Sequence, residues 1–251
     1  MPKLSVTIIA QDEAGKIGEV LDAIRCADEV LVVDGGSRDQ TREICRARGA
    51  RVLERPFDGF APQKRFAASQ ARHDWILNLD ADEVMTPELN QEIRELLARE
   101  EIPEAAFYVP MRLVFMGRAF RHGRESRVPK LRFFDRRRAD YADKEVHEHI
   151  VARGAVGRLR HHALHYSYRN LSHWVDKMNR YTTLGATSLE RKGARRSLAR
   201  LAFTGPFHFF QDWILEGSIL EGVPGFCWSA LAGIARTLKY MKHVEGGLRG
   251  S

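Results

Sequence analysis

The chain has 251 residues, of which 44% are hydrophobic and 29% charged, and a formal net charge of +7. That length supports one large domain, or one domain with a small appendage, around a sizeable core. Three cysteines are too few, and an odd number, for a disulfide-stapled secreted scaffold; the opening Met1–Ala10 lacks the long apolar core and cleavage region of a signal peptide, so a cytosolic, reducing location is expected.

Charge is unevenly placed. Residues 1–100 hold 14 Lys and Arg against 19 Asp and Glu, whereas residues 101–251 hold 26 against 14. A basic second part suits an anionic partner, whether a phosphorylated substrate, an anionic membrane or nucleic acid, or else a solvated basic surface.

In chain order, Leu4–Ala10 reads as a buried strand, because the run is short and Val6, Ile8 and Ile9 are β-branched. A helix is expected from Lys16 to Arg25, with Ile17, Val20, Leu21 and Ile24 on one side. Glu29–Val33 is a second strand that ends at Asp34-Gly35-Gly36-Ser37. Gln40–Arg48 reads as a helix stopped by Gly49, and Arg51–Glu54 as a third strand. A loop containing Pro56, Gly59 and Pro62 opens a helix over Gln63–Ala71. Trp75–Leu79 is a fourth strand, and Pro87–Arg99 a helix with Leu89, Ile93, Leu96 and Leu97 on one side. This alternation predicts an α/β fold with a mostly parallel sheet covered on both faces by helices. Ligands bind such sheets beyond the carboxyl ends of the strands, where three polar loops converge: Gln11 to Glu13, Asp34 to Ser37 and Asp80 to Glu83.

From Phe107 the pattern changes. Phe107–Met111, Lys130–Phe134 and Leu164–Tyr168 read as strands in an Arg-rich mixed region, followed by a helix from Leu171 to Leu189. On the Lys130–Phe134 strand, Lys130 and Arg132 alternate with Leu131 and Phe133, which makes one face basic and suited to a phosphate. Beyond Arg195-Arg196 comes an apolar, aromatic stretch. There Phe203, Phe207, Phe210 and Ile214 share one helical face, and Pro206 should kink the helix or mark a second start. The longest uncharged run, Gly222–Ala235, has 14 residues, short of the roughly 20 needed to span a bilayer. Basic residues on both sides (Arg195, Arg196 and Arg200; Arg236, Lys239 and Lys242) suit helices lying in an anionic membrane interface. A helical cap on the catalytic domain or a dimer interface would use the same pattern. The expected division is therefore a domain over residues 1–195 and a helical, membrane-interface segment over 196–251.

Trp75-Ile76-Leu77-Asn78-Leu79-Asp80-Ala81-Asp82-Glu83 carries the strongest chemical signal. An apolar strand delivers two carboxylates two residues apart, and in an extended chain both point the same way. Together with a diphosphate they suit Mg²⁺ or Mn²⁺; the competing reading is an Asp-rich turn that caps the helix starting at Pro87. At the second strand's tip Asp34 can accept hydrogen bonds from a base or ribose, while Ser37 or Asp39 can cap the next helix. No Gly-x-Gly-x-x-Gly follows the first strand and no P-loop is present, which removes dehydrogenase and P-loop kinase readings. His161-His162 and His165 lack partners at zinc-site spacing. His147, His149, His161 and His162 read as structural histidines, and Arg136-Arg137-Arg138 as a solvated turn.

Ser5 to Glu13, the segment Val32-Val33-Asp34-Gly35-Gly36-Ser37-Arg38-Asp39-Gln40-Thr41 and Asp80-Ala81-Asp82 together resemble three ordered motifs of glycosyltransferase family 2, whose members have a GT-A fold. Phe60 to Ala67, Leu77 to Glu83, Val146-His147-Glu148, Leu164 to Tyr168 and Asn179 to Thr183 are similar to the lipopolysaccharide core β-glucosyltransferases of that family. The resemblance implies an inverting transfer of a hexose, with UDP-glucose the first expectation as donor, to a lipid-linked saccharide. It implies a Mg²⁺ or Mn²⁺ cofactor held by Asp82, with Asp80 as a further ligand or bonding the ribose or an ordered water, and His165 as the histidine that completes the site. Glu148 is the implied general base, with Glu145 and Asp143 as competitors. Asp34 and Glu13 would contact base or ribose, the Ala10 and Gln11 backbone would line that pocket, and Lys64, Lys130 and Arg132 would meet phosphates; a solvated Lys64 is the plainer alternative. The implied location is cytoplasmic, peripheral on the cytoplasmic face of the inner membrane.

Three rivals stand beside this reading. A polyprenyl-phosphate or polysaccharide-assembly glycosyltransferase would differ only in acceptor. A sugar nucleotidyltransferase would need a Gly-rich loop with Arg near the first strand, which Gln11 to Lys16 does not supply. A non-catalytic basic protein would bind a membrane; nucleic acid is disfavoured, because the aromatics do not interleave a basic strand face.

Overall fold

The computed structural model describes residues 1–126, 128–141 and 150–249. The chain divides into two compact units: residues 1–112 with 128–165, and residues 113–127 with 166–251. The division expected after residue 195 lies inside the second unit.

The first unit opens with β1 (Leu4–Ala10), α1 (Ile17–Asp22), β2 (Glu29–Asp34), α2 (Thr41–Ala47), β3 (Arg51–Glu54), α3 (Phe60–Gln70), β4 (Trp75–Asp80), β5 (Glu83–Met85) and α4 (Pro87–Leu97). Then come β6 (Ala106–Val109) and β7 (Met111–Phe115), which passes into the second unit, followed there by β8 (Arg118–Ala119). The first unit resumes with β9 (Lys130–Asp135), β10 (Ala139–Tyr141), β11 (Ile150–Ala152), β12 (Val156–Arg158) and β13 (Ala163–His165). Pro110 has no N–H to give a ladder, and the single strand expected over Phe107–Met111 is accordingly two, β6 and β7, on either side of it.

Seven strands form one sheet in the order β12-β6-β9-β4-β1-β2-β3. β3, β2, β1 and β4 run parallel, as the βα alternation requires, and β9 enters antiparallel between β4 and β6. β1 is buried along its whole length, which accounts for its continuous apolar run. On β4 and its neighbours, Trp75, Phe107 and Phe133 stack with ring centroids 4.8–6.1 Å apart.

Helix ends are set by specific side chains. Thr86 caps α4, its Oγ1 accepting from Leu89 N at 3.3 Å and donating to His162 O at 2.9 Å, with Pro87 at the first helical position. The cap is therefore Thr86, and the Asp-rich turn that precedes it is left for other work. α1 is shorter than expected because α4 finishes it: Asn90 Oδ1 accepts from Arg25 N at 2.7 Å, and Asn90 Nδ2 donates to Ala23 O at 3.0 Å.

The second unit contains the β7–β8 hairpin and the helices α5 (Leu171–Arg191), α6 (Leu198–Phe210) and α7 (Val223–Arg249). Asn170 caps α5 by accepting from His173 N at 2.8 Å. Pro206 lies inside α6 and starts no second helix; the irregularity falls downstream, as a π turn over Gln211–Leu215. α6 and α7 cross at two glycines. A Cβ on Gly205 would stand 2.4 Å from Thr237 Oγ1, and one on Gly233 would stand 2.8 Å from Gly205 O, so only glycine permits this approach.

Two polar anchors hold the unit. Lys242 Nζ from α7 meets Asn179 Oδ1, Asn179 O, Thr182 Oγ1 and Thr183 Oγ1 of α5 at 2.6–2.9 Å. Glu221, 1% exposed, accepts from Arg118 Nε at 2.8 Å and from the Arg121 and His122 N–H groups at 2.7 Å each. Burial pushes the Glu221 carboxyl up, but these donors outweigh it and bring it down to about 2.

Phe203, Phe207, Phe210 and Ile214 do share a face, and it is open: they are 71%, 61%, 59% and 45% exposed. Among the described residues, no helix is long and apolar enough to cross a membrane.

Candidate active site

The first two polar loops are sewn together by side chains of the Asp34–Thr41 segment. Ser37 Oγ accepts from Asp12 N at 2.9 Å, Thr41 Oγ1 from Glu13 N at 2.9 Å and Asp39 Oδ2 from Ala14 N at 3.0 Å. In return, Asp12 Oδ1 accepts from Arg38 N at 2.7 Å. Asp39 also accepts from Thr41 N at 3.0 Å, at the start of α2. Burial raises the Asp39 carboxyl, and the donors from Thr41 and Ala14 more than reverse it, so it lies below its ordinary value.

Asp34 is fully buried, and its carboxylate is directed into its own turn. Oδ1 accepts from Gly36 N at 3.1 Å and Ser37 N at 2.9 Å, and Oδ2 from Ser37 Oγ. Ala10 ends β1 opposite Asp34 and accepts from Gly35 N at 2.8 Å. Gln11 is exposed, and a Cβ on Gly35 would lie 3.4 Å from Gln11 Cβ. Glu13, half-buried, accepts from Lys16 N and Ile17 N at 2.9 Å through its carbonyl and so starts α1.

The third loop holds a compact ionic cluster. Asp80, at the tip of β4, has Oδ1 2.7 Å from Lys64 Nζ and Oδ2 bonded by Arg132. Arg132 Nη2 also reaches Glu83 Oε1 at 2.9 Å, and its Nη1 donates to Asn78 Oδ1 at 3.1 Å. Lys130 Nζ lies 2.9 Å from the same Glu83 oxygen, while Glu83 Oε2 accepts from Asp80 N at 3.0 Å. Burial alone would raise the Asp80 carboxyl; Arg132, Lys64 and Lys130 prevail and hold it well below the usual carboxylate range. Arg132 is correspondingly raised by Asp80 and Glu83 against its own burial, and stays charged.

Lys64 is only 3% exposed, so the solvated reading of this lysine is wrong: it is a buried partner of Asp80. The basic face expected for β9 exists, since Lys130 and Arg132 both turn to Glu83. Glu83 and Asn78 complete the cluster, and no motif in the sequence singles them out. The available signal was polarity in a buried place: Asn78 sits fully buried in the middle of an apolar strand, and its Nδ2 is satisfied by Thr7 O at 3.3 Å and Thr7 Oγ1 at 3.2 Å across the β1–β4 register.

Asp82 and His165 come together through β-pairing. β13 runs antiparallel to β5 with His165 opposite Glu83, which places His165 Nε2 3.5 Å from Asp82 Oδ2. Both side chains are about a quarter exposed, at 24% and 27%. Among the described residues, no three His, Cys, Asp or Glu side chains gather into a metal cage. Asp80 is engaged by Lys64 and Arg132, whereas Asp82 is turned to His165; Asp80, Asp82 and His165 are all about a quarter exposed. Glu148, with its competitors Glu145 and Asp143, lies outside the described residues, as do His147 and His149.

The parallel strands β3, β2, β1 and β4 thus gather interlocked loops and a carboxylate–cation cluster at their carboxyl rim, where open α/β sheets bind their ligands. The profile of glycosyl transferase family 2 matches residues 5–160, and the chain belongs to that family and has its GT-A fold. It is 30% identical over 236 residues to the lipopolysaccharide core biosynthesis glycosyltransferase LpsC of Rhizobium meliloti, covering 90% of this chain and 87% of that one. It is also 30% identical over 264 residues to an uncharacterized glycosyltransferase of Rickettsia typhi, covering 99% of this chain and 89% of that one. Among solved structures, glucosyl-3-phosphoglycerate synthase of Mycobacterium tuberculosis, in complex with Mn²⁺, UDP and glucosyl-3-phosphoglycerate, superposes over 44% of each chain at 23% identity and a TM-score of 0.39.

Proposed function

We propose that this glycosyltransferase moves a hexose from a nucleotide sugar, UDP-glucose first among candidates, to a lipid-linked saccharide of the lipopolysaccharide core type, with inversion at the anomeric carbon. The observation that carries the proposal is the cluster at the tip of β4, in which Lys64, Lys130 and Arg132 hold Asp80 and Glu83 in place beside the Asp82–His165 pair. The similarity to LpsC, named for lipopolysaccharide core biosynthesis, supports the acceptor class.

Asp82 and His165 would hold a divalent cation, Mg²⁺ or Mn²⁺. One carboxylate and one imidazole leave most of its shell to diphosphate oxygens and water, which is how such ions are bound in nucleotide sites. When bound, the ion supplies charge neutralisation for the departing nucleoside diphosphate. Lys64, Lys130 and Arg132 add fixed positive charge on the same rim, already oriented by Asp80 and Glu83, so little reorganisation accompanies transfer. The sewn loops at Gln11 to Ala14 and Asp34 to Thr41 form a rigid floor for the base and ribose, with Glu13 and the Ala10–Gln11 backbone as contacts; Asp34, fully buried and bonded to Gly36 and Ser37, shapes that floor from beneath instead of meeting the base itself. Glu148 is proposed as the base that takes the acceptor hydroxyl proton.

The exposed Phe203–Ile214 face, in a unit with 16 Lys and Arg against 7 Asp and Glu, supports a peripheral position on an anionic membrane surface, where a lipid-linked acceptor resides. The test is sugar transfer from UDP-glucose to extracted, truncated lipopolysaccharide. Asp82→Ala should abolish turnover with the fold intact, and Glu148→Gln should keep donor binding while slowing transfer strongly. Transfer at the wild-type rate by Asp82→Ala would remove the metal assignment; the same result for Glu148→Gln would move the base to Asp143 or Glu145.

A further inference from the structure

The second unit contains a cavity of about 400 Å³, within the size range of ligand pockets. Its walls are Phe115 from β7, Tyr168 and Leu171 at the start of α5, and Phe226, Ala230 and Leu231 from α7. Among the described residues, Arg169 is the one charged residue that lines it. Its polar lining is confined to Tyr166, Tyr168, Arg169 and Asn170, and most of its wall is apolar.

Two features say what the cavity takes. Its rim is apolar and open: Met116, Leu171 and Phe226 line it and are 62%, 56% and 48% exposed. Phe226 then carries the apolar surface outward, its ring lying 5.5 Å from that of Phe209 and 5.7 Å from that of Trp213, and the Phe209 ring lies 5.8 Å from that of the exposed Phe210. Positive charge accompanies the rim. Arg169 is exposed, and Lys177 stands 5.1 Å over the Tyr168 ring.

We propose that this cavity is a binding site for the hydrocarbon chain of an anionic membrane lipid, whose head group is met by Arg169 at the rim. The inference rests on the lipid-facing role proposed for this unit, and it adds a single-chain site to a surface otherwise able only to lie on a bilayer.

Cys227 lines the cavity and is half-buried, which provides a reporter. Cys26 and Cys45 are buried, and burial pushes both thiols up to about 11, so neither competes for alkylation. The experiment measures N-ethylmaleimide alkylation of the full chain with increasing dodecyl phosphate, held below its micelle-forming concentration. At about ten times the dissociation constant the site is nine-tenths filled and labelling of Cys227 should slow roughly tenfold. Inorganic phosphate should give no protection, and Arg169→Gln should lower affinity for dodecyl phosphate but not for dodecanol.

Ala230→Trp, which fills the cavity, should abolish protection, and Ala230→Leu, which removes less space, should weaken it by an intermediate factor even if the larger substitution disturbs folding. Unchanged labelling with dodecyl phosphate, equal protection by inorganic phosphate, or full protection in both Ala230 variants would each overturn the proposal. Melting shifts with UDP and Mn²⁺ in the same samples report on the first unit, so failure of the lipid site and failure of the transferase reading are told apart.

Discussion

His165 Nε2 lies 3.5 Å from Asp82 Oδ2, and the pair exists only because β13 returns antiparallel along β5. A carboxylate delivered by one strand thus acquires its imidazole from a strand far along the chain. His165→Ala should weaken Mn²⁺-dependent nucleotide binding by about tenfold or more while leaving the melting temperature of the unliganded protein nearly unchanged. Titration of Mn²⁺ at fixed nucleotide checks this; an unaltered Mn²⁺ midpoint would show that Asp82 works without His165.

Arg132 has a different duty, as the hub for Asp80, Glu83 and Asn78. Removing one partner of a buried ionic network leaves charges uncompensated, at a cost of about 3–5 kcal/mol. Arg132→Met should lower stability by that order in urea unfolding. Arg132→Lys should restore little, because an ammonium cannot span the acceptors that the planar guanidinium reaches together.

Glu221 makes the second unit acid-sensitive. Its carboxyl is brought from 4.5 down to about 2, so its stabilisation is complete above pH 4.5 and fades as pH falls toward 2. The corresponding contribution at neutral pH is on the order of 3 kcal/mol. Melting curves of wild type and Glu221→Gln should therefore differ most above about pH 4.5 and converge in stronger acid; a gap independent of pH would mean that Glu221 acts by shape alone.

Lys242 gives the Asn179-Arg180-Tyr181-Thr182-Thr183 segment a structural meaning. Three of those residues supply the oxygens around its ammonium, and because most of these bonds are solvent-exposed their combined net contribution is about 1–3 kcal/mol. Lys242→Met should lower the melting temperature by several degrees with no effect on nucleotide affinity, which a titration of the same variant would confirm.

Much of this was legible in the residues themselves. Period and β-branching identify β1 to β4 within a residue or two, since buried parallel strands leave continuous apolar runs. The three polar loops were placed correctly because strand direction alone fixes which rim they share. What the pattern did not carry was the division of labour inside each loop. Asp34 and Asp39 look alike as motif letters, yet one carboxylate turns into its own loop while the other reaches across to Ala14. Lys64 resembles a solvated helix-start lysine until α3 buries it against Asp80. Glu83 gains its role through Lys130 and Arg132 of β9, and Asn78 through its register with Thr7 of β1, neither of which local sequence encodes. Pro206 sits inside α6, next to the glycine at which α7 approaches that helix closely, a tertiary contact that propensity alone would not show.

The most direct measurement is thermal unfolding with UDP, GDP, CMP and ADP, each with and without Mn²⁺, on wild type and Asp82→Ala. A ligand at about 100 times its dissociation constant stabilises by roughly 2.7 kcal/mol, a rise on the order of 5 °C for a chain of this size. The metal-dependent transferase account predicts that rise for wild type with UDP only when Mn²⁺ is present, and none for Asp82→Ala. An equal rise without Mn²⁺, or an undiminished one in Asp82→Ala, would contradict it.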